Sequence, residues 1–283
     1  KAVAAALALV LGVGSLLYPP TAAWFSQRSQ SRVISQGSVH PAVDIQQTER
    51  EQKLADARAY NDALASGAML EANVNVPTGD GAISTGGFDY YSLLNTSVPG
   101  MMGRFMYDEL EIDLPVYHVT SDETLLKGVG HLEGTSLPVG GIDSRSVLTA
   151  HRGLAQATMF TNLDKAELGD TFVVDVHDEV LTYQVVEIEI VEPDETQALL
   201  AVPGKDLLTL VTCTPLGINT QRILVTGERI LPTPPEDVAA AQAQPTIPGF
   251  PWWAVIMSAT LAGSVGYVWW SGYPAAPRAR RRV

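Results

Sequence analysis

The sequence predicts a mainly β domain, closed as a barrel or packed as a sandwich, held between two apolar segments. Three observations predict it. Over residues 102–230 the β-branched runs "VLTAH", "TFVVDV", "LTYQVVEIEIVE", "LLTLVTC" and "RILVTGERI" succeed one another with turn residues between them. Helical patterning in that stretch is confined to the short piece "FTNLDKAELGD", and many short strands with few helices lead to a barrel or sandwich. Finally, residues 2–18 and 250–270 carry no charge, and each approaches the roughly 20 residues that a bilayer core requires.

In chain order, residues 1–23 read as an N-terminal membrane anchor or signal-anchor. A retained anchor is favoured over a cleaved signal, because "TAA" before Trp24 is a weak cleavage site. Residues 24–66 form a helical segment. Within it Leu54, Ala57, Tyr60 and Leu64 recur at helical spacing, predicting an amphipathic helix over 42–65 that Gly67 stops. Residues 67–100 are rich in Gly, Asn, Thr and Ser, yet carry Phe88, Tyr90, Tyr91, Leu93 and Leu94. A long loop with an aromatic cluster is expected to dock as a lid, with Phe88, Asp89 and Tyr90 as its candidate contacts.

The β domain occupies 101–231. Asp178–Glu179 is expected to turn a hairpin, and Thr161 or Asn162 to cap the short helical piece that Gly169 ends. A Pro/Ala linker over 232–249, partly extended, leads to a second membrane helix over 250–272. Trp252, Trp253, Trp269 and Trp270 bracket that helix as an aromatic belt would. Arg278, Arg280, Arg281 and Arg282 lie in the tail, 273–283, and orient it to the cytoplasm. The β domain then lies outside, at the plasma membrane.

At 46% hydrophobic residues the chain can bury a core. Its net charge is −13, and all 31 acidic residues fall between the two apolar ends. Such a surface argues against nucleic-acid binding.

Cys213 is the only cysteine. In an exported domain an unpaired thiol is either a reactive site or a buried inert group. Along "LLTLVTC", Leu207, Thr209, Val211 and Cys213 share one strand face. The loop "TPLGINTQ" lets "RILVTG" return antiparallel and brings Arg222 near Cys213, where a cation favours thiolate and can hold an oxyanion. The competing reading of Arg222 is a surface ion pair with Glu228 or Asp206. A thiol nucleophile needs a proton-transfer partner. Of the five histidines, His40 is expected in solvent and His177 at a hairpin tip, with His118 and His131 at strand ends. His151, leaving a strand end, is favoured, and His131 comes next. There is no H-x-x-x-H pair and no EF-hand-like loop, so no metal and no cofactor is expected.

"TLVTC", "LTAHRG" and "NTQRILVTGER", three dispersed motifs in the right order along the chain, together resemble the signatures of the sortases. The wider run through "GVGHLEGTSLPVGG", "MFTNLDKAELGDTF" and "VVEPDET" is similar to the class C, pilus-building sortases over about 100–230. The resemblance implies a closed β-barrel of about eight strands, His151, Cys213 and Arg222 as the catalytic set, and two membrane anchors. It implies as substrate an LPXTG-like sorting signal of a pilin, joined through a thioacyl-enzyme on Cys213 to a lysine amine of another pilin. Thr212 and Thr214, flanking the nucleophile, are candidate substrate contacts, and the enzyme is expected to be monomeric. Two features depart from the family: no Asp-Pro pair occurs between Gly67 and Gly100, and Gln221 stands where the family often has histidine. The alternatives are a housekeeping sortase that anchors proteins to cell-wall peptide, and an inactive membrane-tethered assembly factor.

Overall fold

The β-branched runs pair as strands in the computed structural model, which describes residues 1–37, 45–64, 89–245 and 247–272. The strands are β1 (Met101–Tyr107), β2 (Ile112–His118), β3 (Val129–His131), β4 (Ser144–Thr149), β5 (Thr171–Val176), β6 (Glu179–Val191), β7 (Asp206–Thr214) and β8 (Gln221–Arg229). They close in the order β1-β2-β3-β4-β7-β8-β6-β5. β2 with β3 and β4 with β7 are parallel; the remaining pairs are antiparallel. Parallel neighbours need a crossover. The short helix α3 (Asp122–Leu125) lies in the first crossover, and the β5–β6 hairpin lies in the second.

Strand alternation gives the barrel a packed interior. Phe105, Phe172 and Tyr183 point inward, joined by Phe160 from the loop after β4, and all are fully buried. Phe172 stacks on Tyr183 with ring centroids 5.7 Å apart, and Phe105 meets Phe160 at 5.5 Å. On β8 the ring of Phe172 comes so close that a Cβ at Gly227 would lie 2.6 Å from its Cζ, so only glycine fits there.

Several local expectations shift. The β5–β6 turn uses His177 and Asp178, at φ 51° and 68°, while Glu179 already belongs to β6 and pairs with Val176. Two consecutive positive φ angles match the right-handed strand twist, which is why the turn sits one residue earlier than expected. The helical piece is only the 3₁₀ turn Leu163–Lys165, and Asn162 caps it with no side-chain bond. The Asn162 amide instead reaches Leu110 O at 3.4 Å, and Thr161 Oγ1 accepts from Gly153 N at 3.1 Å.

The amphipathic helix forms as α2 (Ile45–Ala63), burying Leu54, Ala57 and Tyr60. Arg50 pairs with Asp178 and Arg58 with Glu179, which ties α2 to the β5–β6 turn. Asn61 satisfies both backbone groups of Leu137, at 2.7 and 3.0 Å, as a strand neighbour would.

The linker is more ordered than its composition suggests. Within it α4 (Pro235–Gln242) starts with proline in its first turn and with Glu236 and Asp237 beside it. Ala241 packs with Met106, Val173 and Val180. Arg104, 5% exposed, donates from Nη1 to Ala241 O and Ala243 O at 3.0 and 2.9 Å. Its Nε and Nη2 grip both oxygens of Asp113 at 2.7 and 2.8 Å.

The chain divides into two units. In the barrel unit, the end of the first helix, α1 (Ala2–Gly37), buries Ile34, and Gln30 donates to Lys127 O at 3.3 Å. In the other unit, Trp24 Nε1 donates to Gly249 O at 2.8 Å. There the rings of Trp24 and Phe25 lie 6.0 and 5.6 Å from that of Trp253, on helix α5 (Trp252–Ser271). Helix α1 does not break at residue 23. Among the described residues it is the helix long and apolar enough to cross a membrane.

Truncating Arg104 removes a buried bidentate ion pair with Asp113 and the donor to the Ala241 and Ala243 carbonyls. Arg104→Ala is expected to lower stability by about 3–5 kcal/mol, read as a shifted urea midpoint.

Candidate active site

The parallel pairing of β4 with β7 builds the site. Val147 lies beside Thr209 and Thr149 beside Val211, and Ala150 N continues the ladder to Val211 O at 3.3 Å. His151 follows two residues past the end of β4 and lines the same cavity as Cys213. On the other side of β7, Cys213 pairs directly with Arg222 of β8. Partners in register share a face, so Cys213 and Arg222 lie side by side, on the outer face. Leu208 and Leu210 point the opposite way, toward the interior.

His151, Cys213 and Arg222 line one cavity of about 90 Å³. Thr149, Val211 and Leu224 contribute its floor, and the β6–β7 connection, with Pro193 and Leu199, its wall. Val147, Val191, Val211, Leu132 and Leu224 form a buried apolar cluster against which Ala198 and Leu199 pack. The wall is also held by polar ties. Arg145, 7% exposed, donates from Nη1 to Ala198 O at 2.7 Å and to Thr209 Oγ1 at 3.0 Å. Gln221 donates to Glu192 Oε1 at 2.8 Å.

Cys213 is a free thiol at intermediate burial. Burial pushes His151 below its usual range, against the opposing pull of the Asp122 carboxylate. The neutral imidazole, able to take a proton, is therefore favoured. Arg222 donates from Nη1 to Asn219 O and Gln221 O, at 3.1 and 3.0 Å. It makes neither of the ion pairs that its sequence position allowed. Glu228 binds Lys205 at 2.7 Å, and Asp206 accepts from Gly141 N and Tyr183 OH at 2.9 and 3.2 Å. Among the described residues no cluster of three or more His, Cys, Asp or Glu could hold a metal ion.

Other expected contacts go elsewhere. Thr212 lines the cavity, but its hydroxyl donates to Ala150 O at 2.8 Å. Thr214 is not in the lining and accepts from Arg152 Nη1 at 3.0 Å. Both hydroxyls thus serve the protein's own frame. His131 pairs with Leu148, which pairs with Leu210, so it points inward with no exposed surface and cannot face the cavity. Phe88 lies outside the described residues. Asp89 accepts from Tyr91 N at 3.1 Å, within its own turn. Tyr90 is buried away from the cavity lining, its hydroxyl 2.9 Å from His131 Nδ1. The Leu93 and Leu94 carbonyls meet His118 and His177, at 2.8 and 3.0 Å, so this segment is pinned by three histidines. The pattern of apolar residues predicted a docked segment. Nothing in the spacing could show that histidines would hold it.

The closed eight-stranded barrel thus carries cysteine, histidine and arginine at one cavity on its outer face. The family model described as "Sortase domain" matches residues 107–230. Sortase C-1 from Actinomyces oris is 42% identical with a TM-score of 0.59, the match covering 65% of this chain and 98% of that one. The Group B Streptococcus Pilus Island 1 sortase C2 is 40% identical with a TM-score of 0.59, covering 66% of this chain and 99% of that one. The chain belongs to the sortase family, and these structural relatives are class C sortases. Among curated relatives, sortase A of Streptococcus agalactiae serotype III (strain NEM316) is 30% identical over 131 residues, which are 45% of this chain. The chain spans 52% of the length of that relative and 60% of sortase D of Bacillus subtilis (strain 168), to which it is 29% identical.

Burial holds His131 down to about 4, so the ring stays neutral, donating to Ser136 O at 2.9 Å and accepting from Tyr90. Its folded value lies below the unfolded value of roughly 6.5, so its contribution is complete above that pH. The contribution is lost as pH falls toward 4, amounting to about 3 kcal/mol. Denaturant midpoints measured across this window should slope downward in the native protein. The slope should flatten in His131→Gln, although that variant is less stable at pH 8.

Proposed function

We propose that this chain is a membrane-tethered, pilus-assembling sortase in which Cys213 is the nucleophile, His151 the acid–base group and Arg222 the oxyanion or substrate clamp. The observation that carries the reading is that His151, Cys213 and Arg222 line one cavity, with Cys213 and Arg222 paired across β7 and β8. The acceptor class rests on the likeness to class C sortases.

The substrate is an LPXTG-like sorting signal. Cys213 attacks the threonine carbonyl, and its proton passes to His151. A sulfur–carbon bond forms while Arg222 faces the charge on oxygen. The carbon–nitrogen bond to glycine then breaks, and His151 returns the proton to the leaving amine. In the second half a lysine amine of another pilin attacks the thioester, His151 takes its proton, and the thiolate leaves. An isopeptide bond results, and repetition builds the fimbrial shaft. Only Nη1 of Arg222 is engaged among the described residues, which leaves the rest of the guanidinium for substrate.

Helix α1 supplies one membrane anchor, and α5 is proposed as the second, with the tail 273–283 in the cytoplasm and the barrel outside. The lid is proposed over 67–100, of which the described residues Asp89 and Tyr90 pack outside the cavity lining.

Native enzyme and Cys213→Ala, each co-expressed with a pilin from the same gene neighbourhood, decide the matter on a denaturing gel. A ladder that only the native enzyme makes supports polymerisation. Pilin joined once to the wall, without a ladder, supports a housekeeping role, and a ladder from Cys213→Ala sinks the proposal. Arg222→Ala is expected to reduce kcat for peptide cleavage by roughly 10²–10³-fold, the cost of one lost oxyanion donor.

A further inference from the structure

His151 has an unusual weakness for a general base. Its influences are burial and the charge of Asp122, and among the described residues no hydrogen bond reaches its ring. Cysteine–histidine pairs commonly rely on a third group to orient the base. Here orientation must come through the backbone, and the next residue controls that backbone.

The Arg152 side chain is turned inward, only 8% exposed. Its Nη1 donates to Thr214 Oγ1 at 3.0 Å, and Thr214 directly follows Cys213. Its Nε donates to Thr161 O at 3.3 Å, and its Nη2 pairs with Asp164 at 2.5 Å. One rigid fork therefore joins the end of β4, the end of β7 and the loop that returns from His151. Two further bonds close that loop: Phe160 N to His151 O at 3.0 Å, and Gly153 N to Thr161 Oγ1 at 3.1 Å.

We propose that Arg152 is a positioning residue for the Cys213–His151 pair, a clamp that fixes the imidazole relative to the sulfur through Thr214, Thr161 and Asp164. It touches neither substrate nor reacting atoms. The inference rests on the reading of Cys213 and His151 as the reacting pair.

The test uses the full chain in detergent. Cys213 is its only cysteine, so alkylation by iodoacetamide reports on that sulfur alone. Alkylation rates are measured against pH for the native enzyme, His151→Ala, Arg152→Gln, Arg152→Lys and Thr214→Val, together with melting temperatures and turnover of a quenched-fluorescent LPXTG peptide. The His151→Ala profile should lose the step that the histidine imposes on the native curve. Arg152→Gln and Thr214→Val should move toward that histidine-free profile and lower kcat roughly 10–100-fold, as a small misplacement does, with KM near native. Arg152→Lys should recover part of the loss. Native profiles and turnover in both Arg152→Gln and Thr214→Val would overturn the clamp. Should Arg152→Gln fail to fold, Thr214→Val decides alone, because it removes one hydroxyl and keeps the shape. If His151→Ala already matches the native profile, the pairing of Cys213 with His151 fails instead, and the clamp fails with it.

Discussion

The register between β4 and β7 is the constraint on which the site depends. Thr149 beside Val211 fixes where β4 ends relative to Cys213, and Ala150 N extends the ladder by one bond to Val211 O. Side-chain direction in a strand has a period of two, so a slip by one residue would turn Cys213 inward and Thr212 outward. The pattern resists that slip. Leu208 and Leu210 are fully buried on the inner face, and exchanging them with Thr209 and Val211 would put a hydroxyl among the core rings. The packing that stabilises the barrel is thus also what aims the thiol.

The outer face has its own small core. The cluster of Leu132, Val147, Val191, Val211 and Leu224 seats the β6–β7 wall, and Arg145 is buried beneath it. Burial disfavours the Arg145 charge, while Glu187 and Glu189 nearby partly offset that cost. A buried cation of this kind is held by its hydrogen bonds to Ala198 O and Thr209. The price of so much polar burial is sensitivity to any change that removes one partner.

The proximity of Cys213 and Arg222 was legible in the sequence because one short loop separates them, and a hairpin leaves few registers. The barrel was legible from the density of β-branched runs. His151 was harder. Its contact with β7 is parallel and long-range, Thr212 bonding a residue 62 positions away, and no local pattern encodes such a pairing. The sequence favoured His151 over His131 only by its position at a strand end, and the family motif then strengthened that choice. The linker misled because proline and alanine composition concealed start signals in Pro235, Glu236 and Asp237. Arg152 sits in "LTAHRG" with no role legible there, since Asp164 and Thr161 come opposite it only after the chain has returned.

The cavity lies on the outside of a closed barrel whose interior is filled with rings. Alternate residues of one strand therefore answer to different demands: Leu208 and Leu210 pack the interior, while Cys213 lines the outer cavity. Selection can rework the outer positions at the strand ends, such as those beside Cys213 and Arg222, while the buried positions of both faces stay unchanged. Such a protein can acquire a new clientele without first rebuilding its interior.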